Sequence, residues 1–210
     1  MGTPFFSVII STFNREKLLT RALNSLIEQI ENDWEAIVVD DGSTDGTKEL
    51  IEKILNIDKR FSYFFQENQG VGIAKNCGIE SAKGKYVTFL DSDDEYKKEH
   101  LSIRKNLLMN HKDLDILHGS VEIIGNQNVP DLNEPNKMIS LDDCIIGGTL
   151  IIKRSFLKKT EGYPKVKFGD DRIFYESALK HNPRIMEISD KTYIYHRDSE
   201  DSLCNNFSKE

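Results

Sequence analysis

The chain has 210 residues and a mass of 24.1 kDa, which suits a single domain with a sizeable buried core. Its formal net charge of -7 and its pI near 5.3 argue against nucleic acid as a partner, because phosphate backbones are bound by clustered Lys and Arg. Three widely spaced cysteines without a CxxC pair, and no apolar run near the roughly 20 residues of a membrane helix, predict a soluble cytoplasmic chain without a disulfide framework or zinc site.

The first half of the chain alternates short apolar strands with amphipathic helices. Strands are predicted at 5–10, 36–39, 61–65 and 86–90, and the helical apolar spacing between them falls at 18–27, 50–55 and 70–82. Continuous apolar strands that alternate with helices indicate an α/β fold, in which a mostly parallel central sheet carries helices on both faces.

Polar loops follow three of these strands, at 11–15, 40–45 and 91–95. Ligands of parallel α/β sheets bind at the carboxyl ends of the strands, so we expect these loops to meet around one ligand. Residues 1–97 are therefore predicted to form a Rossmann-like, nucleotide-binding half.

The pattern changes in residues 98–210, which we predict to complete the same single domain of residues 1–210. The predicted elements are a helix near 98–111, a strand at 116–124, a surface loop or flap at 125–140, apolar runs around a Gly-Gly pair at 145–152, a helix at 170–181 and a last strand at 192–196 before a polar tail. No repeat or linker divides the chain.

The stretch FLDSDDE, residues 89–95, places acidic side chains directly after a predicted buried strand. An isolated DxD motif is more often a solvated charged turn. At the carboxyl end of a central strand, however, a divalent cation held by one or two carboxylates and a diphosphate would relieve the charge repulsion. We therefore expect Mg²⁺ or Mn²⁺ as a cofactor.

Three stretches occur in a specific order: SVIISTFNR at 7–15, VVDDGSTDGT at 38–47, and NCGI at 76–79 leading to GKYVTFLDSDD at 84–94. Together they resemble the family 2 glycosyltransferases with the GT-A fold, and the resemblance runs from about residue 5 to about residue 203. Enzymes of this family transfer a sugar from a nucleotide-diphosphate donor to an acceptor hydroxyl, with inversion at the anomeric carbon. The resemblance implies that residues 98–210 form the acceptor-binding half.

The resemblance also implies a nucleotide site. Its residues would be Thr12, Phe13, Arg15, Asp40, Asp41, Asn68, Lys75, Asp91, His196 and Arg197. Asp41, with Asp40 beside it, would accept hydrogen bonds from the base, and uracil fits a carboxylate through its N3–H group. Alternatives are a core ring for Phe13, a helix-entry cap for the two acids and a solvated side chain for Lys75.

In the family's DxD motif, Asp93 would be the direct metal ligand and Asp91 would lie near both the metal and the ribose. The stretch FGDDR at 168–172 resembles the family's Glu-Asp motif, with Asp170 in place of the usual Glu and Asp171 as the catalytic base. Asp170 also fits a helix N-cap.

The turn of Gly147, Gly148 and Thr149 would border the acceptor, or it could be an ordinary strand break. The expected function is transfer from a UDP-sugar to a glycan or lipid-linked acceptor in cell-surface polysaccharide or glycolipid synthesis. Peripheral attachment to the inner face of a membrane and the oligomeric state stay open. The alternatives are an inactive nucleotide-sugar or glycan binding module and a nucleotidyltransferase, although residues 2–15 lack the glycine-rich basic signature of the latter.

Overall fold

The computed structural model describes residues 2–134 and 136–198, so the predicted polar tail and Cys204 lie outside the described residues. The strands are β1 (Phe6–Thr12), β2 (Trp34–Asp40), β3 (Phe61–Phe65), β4 (Tyr86–Phe89), β5 (Glu95–Tyr96), β6 (Ile116–Gly125), β7 (Asn128–Pro130), β8 (Met138–Ser140), β9 (Ile151–Lys153) and β10 (Ile185–Arg197). The helices are α1 (Glu16–Ile27), α2 (Thr47–Ile57), α3 (Val71–Ser81), α4 (His100–Asn110), α5 (Arg154–Leu157) and α6 (Asp170–Leu179).

Within the described residues, an eight-stranded sheet has the order β3-β2-β1-β4-β9-β6-β10-β5. Strand β1 pairs in parallel with β2 and β4, β2 with β3, and β6 with β10. Strand β9 runs antiparallel to both β4 and β6, and β5 runs antiparallel to β10. The prediction of a mostly parallel α/β sheet is confirmed, and the carboxyl ends of β1, β2, β4, β6 and β10 share one edge.

Helices cover both faces of the sheet, as the continuous apolar strands predicted. One face of β1 packs Phe6, Val8 and Ile10 against the buried positions of α1, α2 and α4. The other face packs Ile9 of the same strand in a second core with α3, α5 and α6. Because successive side chains of a strand point to opposite faces, a strand buried on both sides is apolar at most of its positions.

The second half differs from the prediction in its local structure. Residues 125–140 are not a plain loop, because β7 and β8 form an antiparallel hairpin that packs Val129 and Ile139 against the core. The predicted turn at Gly147–Thr149 is a short 3-10 helix. Strand β10 begins at Ile185 instead of Thr192, with an irregularity between Ile188 and Tyr193. No helix of the described residues is long and apolar enough to span a membrane.

Gly84 precedes β4 and lies directly against the backbone of β1. A Cβ atom at this position would lie 2.5 Å from the Ser7 nitrogen and 2.6 Å from the Phe6 carbonyl carbon. Because backbone atoms cannot move aside cheaply, we expect Gly84→Ala to lower the free energy of unfolding by about 1–3 kcal/mol in urea titrations. Gly2→Ala is the control, since a Cβ there meets no atom within 4 Å. Equal stability of the two variants would contradict the prediction.

Candidate active site

The loops that follow β1 and β2 are joined to each other by hydrogen bonds. The Asp41 backbone N–H donates to the Thr12 carbonyl over 2.8 Å, and the Asn14 N–H donates to the Ser43 hydroxyl over 2.8 Å. The parallel register of β1 and β2, which pairs Thr12 with Asp40, brings these loops side by side. The structure therefore places the first two polar loops at one site on the carboxyl edge of the sheet.

Asp40 is fully buried and organises the turn after β2. One of its carboxylate oxygens accepts a 2.8 Å hydrogen bond from the Ser43 N–H, and the other accepts a 2.9 Å bond from the Tyr63 hydroxyl. Burial, followed by this contact with Asp40, raises the pKa of Tyr63 well above its ordinary value. Asp40 thus links the turn to the neighbouring strand β3.

Asp41 accepts three hydrogen bonds from the segment 66–70. The Gln66 side-chain amide donates over 2.7 Å, the Gln69 N–H over 2.9 Å and the Gly70 N–H over 2.8 Å. An ionised carboxylate has about four lone-pair sites, so capacity to accept a further bond is left. Asp41 consequently fixes the segment that carries Asn68, and Gln66 is a site residue that sequence reasoning missed.

The other predicted nucleoside residues differ in exposure. Thr12 is buried, and its hydroxyl oxygen has no hydrogen-bond partner within the described residues. Arg15 is half-buried, whereas Asn68 is exposed. Phe13 is 45% exposed, so it is not the core ring that was its alternative interpretation. An aromatic side chain that faces solvent at a strand end is available for stacking.

The acidic loop after β4 is held from one side by β10. Asp94 is fully buried, and its carboxylate accepts a 2.6 Å hydrogen bond from the Tyr193 hydroxyl and a 2.8 Å bond from the His196 N–H. Arg21 of α1 donates to the Asp93 carbonyl on the other side of the loop. Burial, followed by the charges of Asp91 and Asp93, raises the pKa of Asp94 well above its ordinary value.

The loop carries more negative charge than its surroundings neutralise. Burial raises the pKa of Asp91 to about 7; the charge of Lys75 opposes this shift, while the carboxylates of Asp171 and Asp93 add to it. A bound cation would remove this repulsion. Carboxylate oxygens are the ligands that Mg²⁺ and Mn²⁺ take, so the residues present fit a hard divalent ion.

Among residues 2–134 and 136–198, no group of three or more His, Cys, Asp or Glu side chains is arranged to hold a metal by itself. A divalent ion at Asp91 and Asp93 would therefore take its remaining ligands from water or from a bound molecule. Phosphate oxygens are the usual ones, because Mg²⁺ is commonly bound by one or two carboxylates together with substrate phosphates.

The second acidic site opens helix α6, where Gly169 adopts a left-handed conformation (φ 77°) just before Asp170 and Asp171. The Lys75 ammonium group lies 2.8 Å from Asp170 and 2.6 Å from Asp171. The Gly147 N–H donates to the Asp171 carboxylate over 3.2 Å. Helix α3 and the 147–149 turn thus converge on the residue predicted to be the base.

Lys75 is only 3% exposed, so it is not the solvated lysine of the alternative interpretation. Burial disfavours its charged form, but the carboxylates of Asp171 and Asp170 outweigh burial and raise the pKa of Lys75 well above its ordinary value. Burial raises the pKa of Asp171, and Lys75 opposes that shift. The ammonium group is therefore the main influence that keeps Asp171 ionised.

The glycines of the 147–149 turn are explained by close approach of side chains. A Cβ atom on Gly147 would overlap the Asp171 carboxylate, and one on Gly148 would overlap the ring of Tyr193. Thr149 is buried and donates its hydroxyl to the Ile146 carbonyl over 2.8 Å. The turn lies beside the predicted base, and its predicted contact with an acceptor stays a prediction.

His196 and Arg197, the predicted pyrophosphate contacts, are both buried near the end of β10. His196 Nε2 lies 3.0 Å from the Glu95 carboxylate. The Arg197 guanidinium carbon lies 5.9 Å from the centre of the Tyr195 ring. The structure places His196 beside the acidic loop, in contact with Glu95 of the FLDSDDE stretch, and it adds Tyr193, which no sequence motif marked.

The chain has the GT-A class of fold: its mostly parallel sheet carries acidic loops at the carboxyl edge, and solved structures of this class match it. The chain belongs to glycosyl transferase family 2, because the family model of that description matches residues 7–170. It is therefore an enzyme of the glycosyltransferase class.

Curated relatives support the assignment. An uncharacterised glycosyltransferase of Haemophilus influenzae is 35% identical over 190 residues, which cover 86% of this chain and 74% of that protein. The poly(ribitol-phosphate) beta-N-acetylglucosaminyltransferase TarS of Staphylococcus aureus is 33% identical over 201 residues, which cover 90% of this chain and 35% of TarS. The chain thus spans only part of the length of these relatives.

Solved structures show the same fold. Residues 1–349 of S. aureus TarS in complex with UDP-GlcNAc match with a TM-score of 0.80 and 29% identity, covering 94% of this chain and 60% of that one. The mannosyltransferase PcManGT of Pyrobaculum calidifontis, solved with GDP-Man and Mn²⁺, matches with a TM-score of 0.73 at 18% identity, covering 92% of this chain and 57% of that one. At that identity the second match bears on the fold alone.

Replacing Lys75 by Met should destabilise the protein more as the pH rises. Without the ammonium group the folded-state pKa of Asp171 rises further, so the folded state binds protons more readily than the unfolded chain, and stability falls as pH rises through that pKa. We expect a loss of about 3–5 kcal/mol near neutral pH and a smaller loss near pH 5, measured by urea unfolding.

Lys48→Met is the matched control. Lys48 lies 4.0 Å from Glu52, with side chains 62% and 57% exposed, so its ion pair is screened by water. Its removal should change stability by less than about 1 kcal/mol at either pH. A Lys75→Met variant whose loss of stability is the same at both pH values would contradict the assigned charge balance.

Proposed function

We propose that the chain transfers a sugar from a UDP-sugar to an acceptor hydroxyl with inversion at the anomeric carbon. The observation that carries the proposal is the meeting of two acidic sites around Lys75. The ammonium group contacts Asp170 and Asp171 directly, and its charge also acts on Asp91 of the DxD loop. The charge of Lys75 thus acts on both a donor-side carboxylate and the candidate base.

On the donor side, Asp41 and the segment 66–70 would receive the nucleobase. The carboxylate has capacity left to accept the N3–H of uracil, and Phe13 is exposed for stacking. Thr12, Arg15, Asp40 and Asn68 complete the proposed nucleoside site, and Asp91 would approach the ribose. Residues 1–349 of TarS, which match most of the length of this chain, were solved both with UDP and with UDP-GlcNAc.

Asp93 and Asp91 would hold a divalent cation, Mn²⁺ or Mg²⁺, together with the diphosphate of the donor. When bound, the ion would neutralise charge that develops on the leaving diphosphate. The half-buried Asp93 side chain and the raised pKa of Asp91 support this role, because both carboxyl groups lack a neutralising partner of their own in the acidic loop.

Asp171 would act as the general base. It takes the proton of the acceptor hydroxyl while that oxygen forms a bond to the anomeric carbon, and the bond from that carbon to the diphosphate breaks with its electron pair leaving on the diphosphate. Lys75 keeps Asp171 ionised, and the Gly147 N–H orients it. Asp170 also contacts Lys75 and would hold its ammonium group in place.

Cationic groups would meet the leaving diphosphate. His196 lies beside the acidic loop at the end of β10, Arg197 follows it in the strand, and Lys75 is close enough to influence Asp91. Preorganised positive groups that face a developing negative charge supply a large part of the rate enhancement in such sites. Gly147, which donates to Asp171, would border the acceptor together with Gly148 and Thr149.

The acceptor would be a glycan or a lipid-linked glycan in cell-surface polysaccharide synthesis. TarS acts on poly(ribitol-phosphate) by its name, and TuaG of Bacillus subtilis, 38% identical over 107 residues, is named a putative teichuronic acid biosynthesis glycosyltransferase. The chain spans only part of these relatives. The proposed acceptor therefore rests on their similarity to this chain together with the proposed base site.

Two substitutions separate binding from chemistry. Asp93→Ala should abolish Mn²⁺-dependent binding of UDP, whereas Asp171→Asn should retain that binding and lose turnover by roughly 10²–10⁴-fold, the usual contribution of a positioned base. Calorimetry measures the first effect, and release of UDP from a UDP-sugar measures the second. Asp142→Ala, at an exposed acid, is the control. If both site variants bind and react like the wild type, the roles are wrongly assigned.

A panel of nucleotides tests the donor class. Ligands that bind only the folded state raise the melting temperature, so UDP-sugars with Mn²⁺ should stabilise the wild type more than GDP-sugars or UTP do. Stabilisation by a UDP-sugar without turnover on any glycan would favour the inactive binding module. Release of pyrophosphate from UTP and a sugar phosphate would favour the nucleotidyltransferase.

A further inference from the structure

The side chain of Tyr193 is fully buried and its hydroxyl contacts both ends of the acidic loop. The oxygen lies 2.6 Å from the Asp94 carboxylate, 3.3 Å from the Asp91 backbone nitrogen and 3.3 Å from the Asp91 carboxylate. A phenol has one proton to donate and lone pairs to accept with. Donation to the nearer Asp94 leaves the oxygen free to accept from the Asp91 N–H. One hydroxyl therefore contacts the residues on either side of Ser92 and Asp93.

The ring of Tyr193 packs against the turn that holds the proposed base. Gly148 is so close that a Cβ atom would overlap the ring, and the adjacent Gly147 donates its N–H to Asp171. A continuous series of contacts therefore runs from Asp171 through the turn and the ring to the acidic loop. Since interiors are close-packed, a shift of the ring would move its neighbours on both sides.

The backbone of Tyr193 is fixed on both sides. It pairs with Val121 of β6 in parallel and with Tyr96 of β5 in antiparallel register. This pairing resumes at Tyr193 after the irregularity in β10. The ring of Tyr96 also packs edge-on against it, with 5.7 Å between the ring centroids. The hydroxyl is thus carried by a rigid element, as a group that sets a distance must be.

We propose that Tyr193 is a positioning residue that sets the distance between the loop bearing Asp93 and the base Asp171. The inference rests on the proposed function, in which Asp91 and Asp93 bind a cation with the donor diphosphate. Neither the DxD motif nor the FGDDR stretch contains Tyr193. Its effect on the reaction passes through the carboxylates that its hydroxyl and ring hold in place.

Tyr193→Phe removes the hydroxyl and keeps the ring. We expect the Mn²⁺ concentration for half-maximal UDP binding, measured by calorimetry, to rise about tenfold, because groups that orient metal ligands change metal affinity by about 10–100-fold. Saturating Mn²⁺ should restore UDP binding. In UDP-sugar turnover the apparent KM for Mn²⁺ should rise more than kcat falls.

Tyr96→Phe is the matched control. The Tyr96 hydroxyl is equally buried, but it donates to the Phe89 carbonyl over 2.7 Å and touches no carboxylate. Its loss removes buried hydrogen bonds with the Phe89 carbonyl and, over 3.4 Å, with the Thr88 hydroxyl, but it removes no contact with a carboxylate of the acidic loop. We expect the Mn²⁺ midpoint of this variant to stay within about twofold of the wild type, since the orientation of the metal ligands is unchanged.

Gly148→Ala supplies a second variant that displaces the ring and should shift the Mn²⁺ midpoint in the same direction. If Tyr193→Phe and Tyr96→Phe have the same midpoint, the inference is overturned while the proposed function stands. If the wild type shows no Mn²⁺-dependent UDP binding at all, the proposed function and this inference fail together. A shift in Tyr193→Phe that the control lacks supports both.

Discussion

The contact of one buried ammonium group with two carboxylates holds the candidate active site together. Lys75 of α3 holds Asp170 and Asp171 at the start of α6, and its charge extends to Asp91 at the end of β4. Elements from both halves of the chain therefore depend on one cation. Burial raises the pKa of Asp91, and the single positive charge of Lys75 does not offset burial and the neighbouring carboxylates, so the site is suited to a further cation.

Most of the fold in the first half could be predicted, because β1, β2 and β4 are largely buried and apolar, and α1 and α2 each have a clear apolar face. Segments at 125–140 and 185–191 could not, since their structure depends on distant partners. Strands β7 and β8 are held by the packing of Val129 and Ile139 on the core. Ile185 pairs with Ile116 of β6. Polar residues such as Asp190 and Lys191 hide that pairing in the sequence.

The candidate site was predictable where motifs mark it, as in the DxD loop and the acids at 170–171. The contacts among its members were not. Lys75 was expected at a diphosphate, yet its direct partners are Asp170 and Asp171, far along the chain. Tyr193 and Gln66 carry no motif, because a tyrosine or a glutamine acquires its role only from the carboxylate that folding places beside it.

Strand β5 lies at the opposite edge of the sheet from β3, although both come from the first 97 residues. Residues 1–97 therefore supply both edge strands, and strands β6, β9 and β10 of residues 98–210 lie between β4 and β5. Cleavage between residues 97 and 98 would not yield a fragment that folds independently. Each fragment would expose hydrogen-bonding strand edges that the other fragment covers. We therefore expect the two halves to be functional regions and not independent folding units, so that they melt in a single cooperative transition.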